Sequence, residues 1–454
     1  MSFNRHISSE LDSWKISTFR KPLVLRGARQ VGKTTLVAQF ASKYKYNILL
    51  NLEKEADKFY FEEYDDVKTI VEMLFITKNI AYKWLGETLL FIDEIQESPK
   101  AIALLRYFYE ELPELHVISA GSLLEFALKK VKSFPVGRVE FLYLHPLNFA
   151  EYLEATGHEV ASEQLHKTPV NPAAHQTLMK LFNSYAISGG MPEAIKVYLQ
   201  NKSMADLPRI YESIWGTYKN DVEKYTTNDT ERKVIKHIIN TAPLYVDERV
   251  KFQNFGNSNY KSREVGEAMR ALNDAKIVQL IYPTTDVEIP AKPDLKKSPR
   301  LQFLDTGILN HSLGIQGQML GIDDLSNTFK GAIIPHIITQ ELISLNTFSD
   351  KNPNFWVRDK KQASSEVDLV FAYKDKLIPI EIKSGSSGSL KSLHQYIEQT
   401  NHPYGVRIYA GEFRIEKNIT PKGTPYLLMN LPYYLGTKIP EYIQYFVENH
   451  SLQK

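Results

Sequence analysis

Eight consecutive residues, Gly27-Ala28-Arg29-Gln30-Val31-Gly32-Lys33-Thr34, satisfy every fixed position of the pattern G-x-x-x-x-G-K-[ST]. The chemistry this spacing supports is anion capture. Gly27 and Gly32 let the backbone curl so that successive N–H groups face inward, and a helix starting behind the loop adds partial positive charge. A polyphosphate suits such a cradle: Lys33 reaches the β- and γ-phosphates, the Thr34 hydroxyl ligates Mg²⁺, and Thr35 packs or caps. The pattern therefore implies a bound nucleoside triphosphate, but a phosphate cradle does not read the base.

A second element lies some sixty residues further on. Leu89-Leu90-Phe91-Ile92 is an apolar run that ends in two adjacent carboxylates, Asp93 and Glu94. Asp93 is expected to hold the Mg²⁺ through water and Glu94 to polarise an attacking water as general base. A third apolar segment, His116-Val117-Ile118-Ser119-Ala120, ends at Gly121-Ser122. Ser122 can sense the γ-phosphate or cap a helix beginning at Leu123. Arg138, in Val136-Gly137-Arg138-Val139, is the candidate cation acting on the transferred phosphoryl, within its own subunit or across a subunit boundary.

These residues need elements to hold them. Leu23-Val24-Leu25 reads as a buried strand before the loop, and Thr34 to Tyr44 reads as a helix after it. Strands and helical patterns alternate from about Lys21 to Leu147, which predicts a parallel sheet covered on both faces, with strand ends converging on the ligand crevice. From Leu147 to Tyr225 the pattern becomes helical, interrupted at Ser188-Gly189-Gly190-Met191-Pro192, where a hinge and a rigid corner are equally open. Between Asn228 and Ile289 the order helix, helix, strand is that of a winged helix. Its second helix opens at Ser262 and carries Val265, Met269 and Leu272 on one face. Arg263, Glu267 and Arg270 lie outside that stripe; they can face nucleic acid, or the unit can bind protein or join domains.

After the basic run Lys296-Lys297-Ser298-Pro299-Arg300, the last region holds a hairpin, Glu366 to Tyr373 and Leu377 to Gly385, around a Lys374-Asp375-Lys376 turn. Alternation places Glu366, Asp368 and Val370 on one face, and Glu381 and Lys383 on one face of the partner strand. Two carboxylates and a lysine so placed are what a divalent-metal phosphodiesterase needs, with Asp368 and Glu381 as ligands of Mg²⁺ or Mn²⁺ and Lys383 orienting water or phosphate. Charged residues on an open hairpin face are also commonplace.

The 454 residues suffice for about three domains. With 55 Lys and Arg against 53 Asp and Glu, the net charge of +2 means that any nucleic-acid contact must come from local patches. The absence of cysteine excludes disulfides, thiolate metal sites and cysteine nucleophiles. No apolar run approaches the roughly 18 residues that span a bilayer, and no leader pattern opens the chain. The expectation is a soluble cytoplasmic protein without a membrane partner.

With these motifs in place, the chain resembles the prokaryotic AAA-type ATPases that carry a C-terminal domain of unknown function. The resemblance rests on Leu25 to Thr35, on Gly137-Arg138-Val139 with Leu144-His145-Pro146-Leu147-Asn148-Phe149, on Ser188 to Glu193, and on Leu304-Asp305-Thr306-Gly307. It implies ATP with Mg²⁺ as the cofactor pair. It also implies a last domain similar to the PD-(D/E)xK nucleases, a restriction-endonuclease-like α/β fold in which Asp368, Glu381 and Lys383 are the matching positions. One departure stands out: where the pattern expects a helical glutamate, this chain has Pro335 in Gly331-Ala332-Ile333-Ile334-Pro335, with Glu341 later as the candidate substitute.

The expected division is an ATPase domain over 1–147, a helical linker or lid over 148–226, a winged-helix-like domain over 227–295 and a nuclease-like domain over 296–454. The expected function is Mg²⁺-dependent ATP hydrolysis coupled to domain motion, acting on DNA or RNA. The alternative is a nucleotide-gated switch or scaffold that recruits protein partners and carries a non-cutting nuclease-like domain. Either form is compatible with a homo-oligomer.

Overall fold

Short runs of buried aliphatic residues build the N-terminal sheet. β1 (Leu23–Arg26), β2 (Tyr46–Asn51), β3 (Thr88–Asp93), β4 (His116–Ala120) and β5 (Glu140–Tyr143) are all parallel, in the order β2-β3-β4-β1-β5. β3 and β4 are buried along their whole length, as strands covered on both faces must be. The covering helices are amphipathic. In Pro99–Glu111, for example, Ile102, Leu105 and Phe108 enter the core, while the Ser98 side chain caps the first turn by accepting from the Ala101 N–H. Because the strands are parallel, their C-terminal ends share one edge, and it is there that β1, β3 and β4 hand over to Gly27, Glu94 and Gly121.

The computed structural model describes residues 3–122, 124, 137–226, 228–319, 331–359, 365–383 and 389–452; the helix expected at Leu123 and the end of the hairpin at Ser384-Gly385 lie outside them. Two compact units result, one of Met1–His145 with Asp274–Lys276 and Asn346–Asp350, the other of Pro146–Asn273, Ile277–Leu345 and Lys351–Lys454. Among the described residues no helix is long and apolar enough to cross a membrane.

The second unit opens with helices Phe149–Ala155, Glu159–Leu165, His175–Ser188, Pro192–Asn201, Leu207–Tyr225 and Asp229–Thr241. Helix Ser262–Asp274 then leads into an antiparallel pair, β6 (Val278–Ile281) with β8 (Arg300–Phe303). A seven-stranded mixed sheet completes the unit. It combines β7 (Pro283–Thr284), β9 (Asn354–Val357), β10 (Glu366–Tyr373), β11 (Lys376–Ile382), β12 (Tyr404–Tyr409), β13 (Arg414–Ile419) and β14 (Pro425–Pro432), in the order β13-β14-β12-β11-β10-β9-β7. The fold class is thus α/β with a parallel N-terminal sheet, a helical middle and a mixed C-terminal sheet. A division at 295/296 falls inside this arrangement, since β6 pairs with β8 across it and β7 belongs to the C-terminal sheet.

The glycine pair left open as hinge or corner is a packed corner. Gly189 has φ +68°, and a Cβ there would stand 2.3 Å from Asp305 Oδ2; one on Gly190 would stand 2.0 Å from the Leu147 carbonyl oxygen. Asp305 accepts from the N–H groups of Gly190 (2.6 Å), Gly307 (2.9 Å) and Ile308 (3.3 Å), which ties the Gly-Gly-Met-Pro segment to Leu304-Asp305-Thr306-Gly307. Nearby, Glu341 is fully buried and accepts from the Tyr185 hydroxyl (2.7 Å) and the Phe149 N–H.

This buried polar centre makes stability depend on pH. Burial pushes the Glu341 carboxyl up to about 8 and Asp305 up to about 6. Above the ordinary carboxylate range the folded chain keeps protons that the unfolded chain has lost, so stability is full at low pH and is lost as pH rises through the folded values. One such proton costs up to about 1.4 kcal/mol per pH unit. Burial also holds His116 and His336 down at about 3, which opposes this trend below their ordinary range. Between pH 6.5 and 8 the carboxyls therefore dominate. Melting temperature should fall across that window, and less steeply in Glu341→Gln; an equal slope in the variant would refute the assignment.

Candidate nucleotide-binding site

β1 ends in a loop whose backbone only glycine tolerates at its first position. Gly27 has φ +147°, and a Cβ there would meet the Leu144 carbonyl oxygen at 2.3 Å; Gly32, at φ +99°, caps helix Lys33–Ala41 in the left-handed region. The loop is braced from outside as well. Arg5 donates through Nη1 to the Val31 carbonyl (3.2 Å) and through Nη2 to that of His145 (2.7 Å). Nothing in the sequence flags Arg5, because its contacts lie 26 and 140 positions away.

Lys33 is buried, and its Nζ donates to the carbonyls of Gly27 (2.9 Å) and Ala28 (2.8 Å). Burial brings its pKa down to about 8, against the opposing pull of Glu94 and Asp93. The neighbouring Thr34 hydroxyl donates to Asp93 Oδ2 at 2.7 Å, so the hydroxyl of the loop and the acid of β3 meet although 59 positions separate them. Burial raises Asp93 and the Thr34 hydrogen bond counteracts it, while Asp93 Oδ1 accepts from the Glu94 N–H (3.1 Å). Ala28, Arg29, Gln30 and Val31 complete the turn, with Gln30 at φ +64°, and Thr35 follows on the exposed side of the helix.

Glu94 takes up a left-handed conformation, φ +50°, at the strand end. Gln96 folds back to it and donates from Nε2 to Glu94 Oε2 at 2.6 Å. Gln96 Oε1 is buried, has no hydrogen-bond partner among the described residues, and lies where a Cβ on Gly121 would be, 2.2 Å away. Gln96 is thus a positioning group for the candidate base that the sequence reading passed over. Ser122 sits two residues past the Ala120 that pairs with Leu25, hence level with Gly27 and partly exposed.

An Mg²⁺–nucleotide pair fits these residues: the cradle excludes side chains at Gly27, the hydroxyl and carboxylate of Thr34 and Asp93 already face each other, and the buried Lys33 ammonium lies against the loop carbonyls of Gly27 and Ala28.

Arg138 is placed elsewhere, which corrects the expectation that it acts on the phosphoryl group of its own subunit. It precedes β5, whose Glu140 pairs with Leu23 at the start of β1, so it lies at the N-terminal edge of the sheet, opposite the loop. There its Nε donates to Glu110 Oε1 at 2.9 Å. Arg138→Ala in dilute, unassembled protein should leave ATP turnover within about twofold of the parent, as expected for an exposed ion pair. A tenfold loss there would restore the role.

In the C-terminal sheet Asp368 and Glu381 do come together, one step beyond the Leu369–Ile380 pair. Each already has a cation: Arg300 Nη1 lies 3.3 Å from Asp368 Oδ1, and Lys383 Nζ lies 2.6 Å from Glu381 Oε1. Glu341 does not substitute at Pro335, because six residues along a helix turn a side chain through about 240°; it bonds Tyr185 and Phe149 instead. Among the described residues no group of three or more His, Cys, Asp or Glu side chains is arranged to hold a metal ion. In helix Ser262–Asp274, Arg263 is paired with Glu267 at 2.9 Å.

Comparison with known proteins places these features. Residues 19–153 match the family model described as an AAA domain, residues 179–319 a domain of unknown function (DUF8612), and residues 330–427 another (DUF4143). No curated protein matches the chain. Among solved structures it is similar, at 13% identity and a TM-score of 0.28, to a signal transduction ATPase with numerous domains (STAND) from Pyrococcus horikoshii that has a tetratricopeptide repeat sensor. The match covers 76% of this chain and 46% of that one, so the chain spans less than half of the protein it is compared with. Residues 19–153, which hold the glycine loop and the Asp93-Glu94 strand end, are thus similar to an AAA domain.

Proposed function

We propose that this chain, which has an AAA domain near its N-terminus and the DUF4143 domain near its C-terminus, hydrolyses ATP and couples the nucleotide state to an action on nucleic acid. The observation that carries the hydrolysis reading is the meeting of Thr34 and Asp93 at 2.7 Å beside Lys33 and Glu94. Lys33 would exchange its two loop carbonyls for oxygens of the β- and γ-phosphates, and polyphosphate charge would keep it protonated despite burial. Thr34 and Asp93 would hold Mg²⁺, which when bound neutralises phosphate charge. Glu94, oriented by Gln96, would take the proton of the attacking water, and Ser122 would face the γ-phosphate.

The action on nucleic acid rests on the helix, helix and strand pair formed by Asp229–Thr241, Ser262–Asp274 and β6 with β8. One observation favours a second reading, a nucleotide-gated switch for protein partners: Arg263 of the exposed helix face is neutralised by Glu267. ATP turnover with added DNA or RNA across a salt series separates the two. Stimulation that fades as salt rises supports the nucleic-acid reading, since phosphate contacts release counterions. Turnover indifferent to both polynucleotides at every salt concentration supports the protein switch.

A further inference from the structure

We infer that the carboxylates of the C-terminal hairpin form an internally neutralised clamp, in which the Arg300 guanidinium stands where a divalent cation would have to bind. The inference is independent of the ATPase reading. Asp368 of β10 uses both oxygens: Oδ1 faces Arg300 Nη1 at 3.3 Å and Oδ2 accepts from the Ile382 N–H at 2.8 Å. Arg300, at the start of β8, also reaches Glu366 Oε2 (2.9 Å) and Asp247 Oδ1 (3.4 Å), and its guanidinium lies 4.6 Å from the centre of the Phe355 ring. Arg249 takes the other oxygen of Glu366 at 3.0 Å. Among the described residues, the carboxylates of Asp247, Glu366, Asp368 and Glu381 therefore face the cations of Arg249, Arg300 and Lys383.

The donors a metal needs are missing one by one. The cavity bounded by Asp247, Arg300, Pro335, His336 and Asp368 measures about 20 Å³, about the room of one water. Pro335 offers no ligand. His336 is committed, Nε2 accepting from the Phe303 N–H (3.1 Å) and Nδ1 meeting the Thr306 hydroxyl (3.2 Å). Glu381 Oε2 is buried and has no hydrogen-bond partner among the described residues. The chemistry that results is cohesion: Arg249 and Arg300 fasten the segment around β8 to β10. Phosphodiester cleavage by a bound metal has no place in it.

The test uses the full chain without nucleotide and Mn²⁺ as probe, read by thermal melting and by equilibrium Mn²⁺ binding. In the parent chain, Asp368→Asn should leave Mn²⁺ binding unchanged. Arg300→Ala should melt lower, and millimolar Mn²⁺ should raise its melting temperature by about 2–4 °C, a response of the size ligand linkage gives. The parent should lack this response, and so should Arg300→Ala combined with Asp368→Asn. Mn²⁺ binding by the parent that Asp368→Asn abolishes would overturn the inference, as would a folded Arg300→Ala indifferent to Mn²⁺. Should Arg300→Ala fail to fold, Arg300→Lys, which keeps a cation, is expected to fold, and the parent comparison alone then decides.

Discussion

Glu94→Gln is expected to lower ATP turnover by about 10²–10⁴-fold, the range a positioned general base contributes, while ATP binding persists. The substitution is nearly isosteric, and the new amide oxygen can still accept from Gln96 Nε2, so the left-handed turn at φ +50° keeps its support. What is lost is basicity. Binding of ATP that survives together with a collapse in turnover separates this residue from those that hold the nucleotide. Parental turnover in Glu94→Gln would remove the general base from the mechanism and leave Asp93 alone at the strand end.

Lys33→Ala should act one step earlier, on binding. Its ammonium is buried against the Gly27 and Ala28 carbonyls within the loop, where a charge-assisted contact is strong because little water competes. Losing it should weaken ATP binding or reduce turnover on the order of 10²–10³-fold, comparable to removing one preorganised donor from an anion site. Circular dichroism should remain that of the parent, since the helix from Lys33 to Ala41 is held by Leu36, Val37 and Phe40 in the core. Equal affinity in parent and variant would mean that the loop binds no polyphosphate.

The parts of the site that the sequence makes legible are those written in contiguous residues. The loop is one octapeptide, and Asp93-Glu94 closes an apolar run, so both could be found without knowing the strand order. Arg138 shows the limit of that approach. Its nearness in sequence to β5 says nothing about which edge of the sheet it occupies, and only the register of Glu140 with Leu23 puts it opposite the loop. Gln96 escaped because its contact with Glu94 depends on a positive φ that no residue type announces there. In the sequence Arg300 only ends a basic run; its partner Asp368 is 68 positions away, and the fold alone brings them together.

Glu341 is a different case, since helical periodicity alone separates its face from that of Pro335. The two short signatures around Gly190 and Asp305 were visible individually. That one accepts a hydrogen bond from the other across 115 positions follows only from the fold.

The most direct measurement of the central claim is equilibrium titration of the full chain with a non-hydrolysable ATP analogue and Mg²⁺, in parallel with Lys33→Ala. The account predicts one saturable site per chain in the parent, Mg²⁺-dependent and lost in the variant. No binding by the folded parent, or binding of equal strength in the variant, would contradict it.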